Sequence, residues 1–152
     1  MKIQRWKERQ YIFLLLLLIF VIATFGCTVR LIAPYDQKID DGITKLQEMT
    51  TEFLTKVASQ GGSKPEDYNH HINFYDNAQV KLSGIRLRAE SMPQNRKTYD
   101  QLEYLKGEFE KLKSQDKNNG MTPGFALSEA NIFDRLFRAI LILEIAKKDI
   151  PS

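Results

Sequence analysis

The chain has 152 residues, 43% of them hydrophobic and 27% charged, with a formal net charge of +3 at pH 7. That length allows one domain with one modest core. Lys2, Arg5, Lys7, Arg9 and Glu8 precede Cys27, so 18 of the 22 basic and 18 of the 19 acidic residues remain from there on. A body without a surplus of Lys and Arg lacks the counterion-releasing surface of a nucleic-acid binder, and no nucleic-acid partner is expected.

The first element is an apolar run. Residues 11–29 carry no charge, a length that just suffices for a membrane-crossing helix of about 20 residues. The basic segment "MKIQRWKERQ" ahead of it predicts a cytoplasmic amino end and export of the chain beyond the run. Three readings fit the run: a cleaved signal, a retained single-pass anchor and a buried core helix. The order of basic residues, Leu/Ile-rich stretch and Gly26-Cys27 resembles a bacterial lipoprotein signal, with Thr24 where Leu is usual and Phe25 where a small residue is usual. That resemblance implies cleavage before Cys27 and a lipid such as palmitate on its thiol. The cysteine has no partner for a disulfide within the chain, and lipidation gives it a use. Residues 1–26 are therefore read as a lipoprotein signal peptide or membrane anchor, 27–35 as a linker and 36–152 as a helical domain. Thr28, rather than Asp, after the cysteine implies sorting to the periplasmic face of the outer membrane.

The stretch "RLIAPYDQKIDDGITKLQ" is similar to the opening of small uncharacterised proteobacterial lipoproteins, on Tyr35, Asp36, Gly42, Ile43, Thr44 and Leu46. The likeness implies no activity. Beyond Pro34, apolar positions at Ile39, Ile43, Leu46, Thr50, Phe53 and Val57 step by four and three, which predicts a helix with one buried seam, capped by Asp36. The glycines of "SQGGSKPED" end it, and Ser63 with Glu66 has the spacing of a capping box. A second helix of about 26 residues, from Tyr68 to Met92, places Tyr68, His71 or Ile72, Tyr75, Ala78, Leu82, Ile85 and Ala89 on one face. Pro93 breaks the pattern. A third, shorter helix carries Tyr99, Leu102, Leu105, Phe109 and Leu112, with "SQDKNNGMTPG" as the loop after it. The last, from about Phe125 to Lys148, is apolar on nearly every side between Ala139 and Ala146 except at Glu144, and is expected to be the most enclosed. Four amphipathic helices on short loops predict an all-α fold, an antiparallel four-helix bundle preceded by the hydrophobic segment.

In that topology the turn near Pro93 and the C-terminus lie at the membrane end. Arg86, Arg88, Arg96 and Lys97 collect at this turn as a membrane-proximal basic patch, able to meet lipid phosphates at about 1 kcal/mol per cation. Catalytic motifs are not found. Asn69-His70-His71 holds the only histidines; adjacent histidines diverge by about 100° around a helix, one helix supplies too few ligands for a closed zinc site, and His71 falls on the apolar seam. His71 is read as a packed histidine, and neither cofactor nor metal is expected. Phe74 and Tyr104 fall off the seams and suggest a partner-facing patch. The expectation is a non-enzymatic, membrane-anchored binding or accessory subunit of a cell-envelope complex, held to lipid through Cys27 or a retained anchor and paired with a protein partner. The alternatives are an inhibitor or immunity-type protein and, less favoured, a metal-dependent enzyme at His70 and His71.

Overall fold

A computed structural model describes residues 32–60 and 67–149. Cys27, the apolar run and the Ser63–Glu66 capping box lie outside these residues. The described residues belong to a compact unit, Leu31–Ser152, and the fold is all-helical. Four α-helices compose the described residues: α1 (Gln37–Ser59), α2 (Ile72–Ser91), α3 (Arg96–Asn119) and α4 (Pro123–Ala146). Consecutive helices pack on one another and α4 closes the bundle against α1, the most extensive of the contacts.

Helix α1 starts where Asp36 accepts hydrogen bonds from the amides of Lys38 and Ile39, satisfying two of the donors a helix leaves open at its start. Ile39, Ile43, Leu46, Thr50, Leu54 and Val57 are buried. Leu54 takes the place that the spacing gives to Phe53, because the 3.6-residue period advances the stripe by four positions there rather than three. Phe53 instead stacks on Phe74 with ring centroids 3.8 Å apart. The polar Thr50 is accommodated by donating to the carbonyl of Leu46 at 2.7 Å. Gly42 lets α1 and α2 approach closely, since a Cβ there would meet Ile85 at 2.8 Å.

Two helix boundaries differ from the sequence expectation. The 26-residue second helix is a helix of 20 residues preceded by a 3-10 turn, Tyr68–His70, capped by Asp67. The third helix is not short: it runs 24 residues through "SQDKNN" to Gly120, whose φ of 67° is a helix-ending conformation open to glycine. The polar run reads as a loop, yet Asp116 sits four residues past Leu112 and continues the buried face. Thr122 caps α4 through the amide of Phe125, with Pro123 in the first helical position.

Packing also reaches ahead of α1. Ala33, assigned by sequence to a linker, is buried and its N–H donates to the carbonyl of Gln94 in the α2–α3 turn. Three further contacts gather at this end: Arg88 with Asp36, Lys147 with Asn95, and Lys148 with Asp40. The start of α1, the α2–α3 turn and the end of α4 thus meet. His71 and Asp116 join the start of α2 to the end of α3 at the opposite side.

Helix α4 is not fully enclosed. Ile142 and Ile145 are 60% and 51% exposed, while Glu144 is 0% exposed. Its core face is Ala126, Phe133, Phe137, Ile140 and Glu144, so helical register, rather than hydrophobicity, decides which side chains go inside. No helix among the described residues is long and apolar enough to cross a membrane.

The cap residue Asp36 has two partners, and this gives a testable consequence. Its carboxylate also takes a bidentate hydrogen-bonded ion pair from Arg88, at 2.8 and 2.6 Å, and this holds its pKa below the usual carboxylate value. A depressed carboxylate pKa contributes stability that is present above the unfolded pKa and lost as pH falls through the folded one. Asp36→Ala is expected to cost about 1–2 kcal/mol at pH 7 from the lost cap. Asp36→Asn keeps the cap and loses the ion pair. Its smaller deficit, about 0.5–1 kcal/mol, should shrink as the pH is lowered below about 4, as measured by urea denaturation across the acid range.

Candidate functional site

Arg86, Arg88, Arg96 and Lys97 do lie around the α2–α3 turn, but they do not form one open cationic surface. Arg86 bonds Glu103 through Nε at 2.6 Å and through a second, shorter contact. That bond keeps the Glu103 carboxyl below its usual range. Arg96 pairs with Asp100 at 2.8 Å, and both guanidinium groups lie over the ring of Tyr99, at 5.9 and 5.8 Å from its centroid. Arg88 turns away to Asp36 on α1. Lys97 is exposed and has no carboxylate partner among the described residues. Three of the four cations are therefore neutralised locally.

The histidines part company where the 3-10 turn ending at His70 gives way to α2. His70 is exposed and His71 is 4% exposed. His71 Nδ1 lies 2.8 Å from Asp116 Oδ2, and the Tyr75 hydroxyl donates to the same oxygen at 2.8 Å. Burial, followed by this bond to a carboxylate, drives the Tyr75 pKa far upward, so its hydroxyl keeps its proton. Phe53, Phe74, Tyr68 and Tyr75 wall the cluster through stacked and edge contacts. Phe74 is half-buried and packed against the core, whereas Tyr104 is 73% exposed. Among the described residues no group of three or more His, Cys, Asp or Glu side chains could hold a metal ion.

A second buried polar cluster, which sequence alone does not place, closes the other end of the bundle. Lys147 Nζ donates to Asn95 Oδ1 at 2.6 Å, Thr98 Oγ1 at 2.7 Å and Glu144 Oε1 at 2.5 Å. Thr98 in turn donates to Glu144 Oε1 at 2.6 Å. The ammonium thus uses all three of its donors. Asn95 precedes α3 without capping it, because its side chain is engaged by Lys147 and by the carbonyl of Ala89, to which it donates at 3.3 Å. Lys147, near the C-terminus, is 4% exposed. The available sequence signal is a Glu and a Lys three residues apart on an otherwise apolar face, a spacing that pairs opposite charges on a helix.

No family model matches the chain, and neither a curated protein nor a solved structure is significantly similar to it. Its functional reading therefore rests on its own residues. The two buried clusters spend most of their polar atoms on one another; Asp116 Oδ1 and Glu144 Oε2 have no hydrogen-bond partner among the described residues. The residues carrying the resemblance at the start of the domain have packing roles. Ile43 and Leu46 are core, Gly42 admits Ile85, and Asp36 is cap and ion-pair partner. The Tyr35 hydroxyl donates to Asp40 at 2.7 Å beneath the ammonium of Lys148, 4.4 Å from its ring centroid.

Proposed function

We propose that this chain is a membrane-anchored periplasmic lipoprotein, attached through Cys27 and serving as a non-catalytic binding or accessory subunit of a cell-envelope complex, with the outer membrane as its site. The single observation that carries the reading is the order of basic segment, uncharged run and Gly26-Cys27 ahead of a body with equal numbers of acidic and basic residues. The helices run antiparallel in this reading, as the end-to-end pairs Arg88–Asp36, His71–Asp116 and Lys147–Asn95 support. The end bearing Arg86, Arg96 and Lys97 then faces the membrane. Val80, Leu87, Tyr104, Leu127, Ile142 and Ile145 are exposed apolar side chains among the described residues.

Intact mass of the protein extracted from membranes provides the test. The expected result is a species that begins at Cys27 and carries lipid, and Cys27→Ala should abolish both the processing and the added mass. Retention of Met1 with an unmodified thiol would reject the lipoprotein and leave the single-pass anchor. Fractionation to the inner membrane would reject the outer-membrane assignment.

A further inference from the structure

Helix α3 ends by joining an asparagine to a glycine: Asn119 is its last residue, and Gly120 follows with φ 67° and ψ 175°. We infer that Asn119-Gly120 is a site of spontaneous covalent modification, deamidation through a cyclic imide, and that the buried Asp116 gates it by holding the last turn of α3 closed. The inference goes beyond the binding role and is independent of lipid attachment at Cys27.

In the reaction the backbone nitrogen of Gly120 attacks Asn119 Cγ. The N–Cγ bond forms, the Cγ–Nδ2 bond breaks, and the proton of the attacking amide leaves with the side-chain nitrogen as ammonia. Water then opens the five-membered ring. Addition at Cγ gives aspartate; addition at the backbone carbonyl gives isoaspartate, in which the chain runs through the former side chain. Amide and water become acid and ammonia, with no oxidant or other reactant. Asparagine is among the thermolabile residues, and this one is exposed, with no hydrogen bond to its side-chain amide among the described residues. Gly120 carries no side chain to obstruct its nitrogen, and it stands here because its positive φ suits glycine. The requirement that ends the helix thus also supplies the attacking group.

The closed helix opposes the attack. The Gly120 N–H donates to the Asp116 carbonyl at 2.7 Å, the i→i−4 bond that commits this nitrogen to the helix. Two enclosed side chains flank the turn. Asp116 is held by His71 and Tyr75, and Met121 is wholly buried. Between them Lys117, Asn118 and Asn119 are exposed, and Asn118 reaches Ser114 at only 3.5 Å. Local opening of this turn frees the amide, and the two anchors set its cost. The product then disturbs the closure that delayed it. A new carboxylate sits at a helix C-terminus, where the macrodipole favours cations, and isoaspartate adds a backbone carbon ahead of Met121.

Full-length protein is incubated in neutral detergent at mildly alkaline pH and sampled by peptide mapping with mass spectrometry, the aspartate and isoaspartate peptides being separated by chromatography. Conversion at Asn119 is expected in the folded protein, about tenfold or more slower than in urea, with Asn118 unchanged. Asn119→Gln should abolish the product. Asp116→Ala should accelerate conversion about tenfold or more, and Lys147→Met, which weakens the other end of the bundle, several-fold less. Tyr75→Phe removes one hydrogen bond from the same carboxylate and keeps the ring; it replaces Asp116→Ala should that variant lose its helical circular dichroism. Absence of product from the folded protein, equal rates with and without urea, or a rate unchanged by the Asp116 or Tyr75 variant would overturn the inference. So would equal acceleration by Asp116→Ala and Lys147→Met, which would make global unfolding the route to reaction. The readout is the same with or without lipid on Cys27, so failure here and failure of the lipoprotein reading are distinguishable.

Discussion

Lys147→Met is expected to destabilise the domain by about 3–5 kcal/mol, the cost of removing one member of a buried ion pair and leaving the other uncompensated. Lys147 and Glu144 are almost wholly enclosed, and without the ammonium the Glu144 carboxylate keeps only the hydroxyl of Thr98. Thr98 and the Asn95 carbonyl oxygen lose a donor at the same time. Urea denaturation of the single variant provides the measurement. The double variant Glu144→Leu with Lys147→Met should recover most of the loss, because a well-packed apolar pair of similar volume is often as stable as a buried ion pair. A single variant within about 1 kcal/mol of the wild type would mean that the network is solvated and contributes little. The C-terminal 3-10 turn, Lys147–Asp149, is joined to the α2–α3 turn through this lysine, so amide exchange in both segments should rise together in the Lys147→Met protein.

Asp116→Ala is the second large effect, at about 2–4 kcal/mol. One buried carboxylate oxygen accepts from the Tyr75 hydroxyl and faces His71 Nδ1. Its removal leaves two buried polar groups without that partner, at about 1–3 kcal/mol each when unsatisfied. A cavity adds to the loss. His71→Ala should be destabilising through lost packing against Phe53, whose ring centroid is 5.0 Å away. His70→Ala, at an exposed position, should lie within about 0.5 kcal/mol of the wild type. The cycle of His71→Ala, Asp116→Ala and their combination should show a coupling of about 0.5 kcal/mol or more, since the residues share one hydrogen bond. Equal and additive losses would mean that the carboxylate is held by Tyr75 alone.

The helices and their seams are legible in the sequence because burial follows the helical period. Ile39, Ile43 and Leu46, then Tyr75, Ala78, Leu82 and Ile85, then Leu102, Leu105, Phe109 and Leu112, all fall inside as their spacing dictates. The Asp36 cap and the break at Pro93 are legible for the same reason: each is a local backbone requirement met by a residue nearby. The His71 assignment to the packed face also comes from spacing. Tertiary structure alone decided which polar residues join that interior. In sequence Glu144 is the one break in the apolar arc of α4; the structure buries it, and Lys147, Thr98 and Asn95, brought together from the ends of two helices, make its burial affordable in free energy. Asp116 reads as loop composition until His71 and Tyr75, 45 and 41 residues away, supply its partners. The basic patch is visible as a cluster in sequence, and Asp100, one turn from Arg96 on the same helix, is a local partner, yet Glu103 and Asp36 take up the charge of Arg86 and Arg88 only when the helices are packed. A charge leaves water when its partner is already in place, and that partner belongs to another element of the fold.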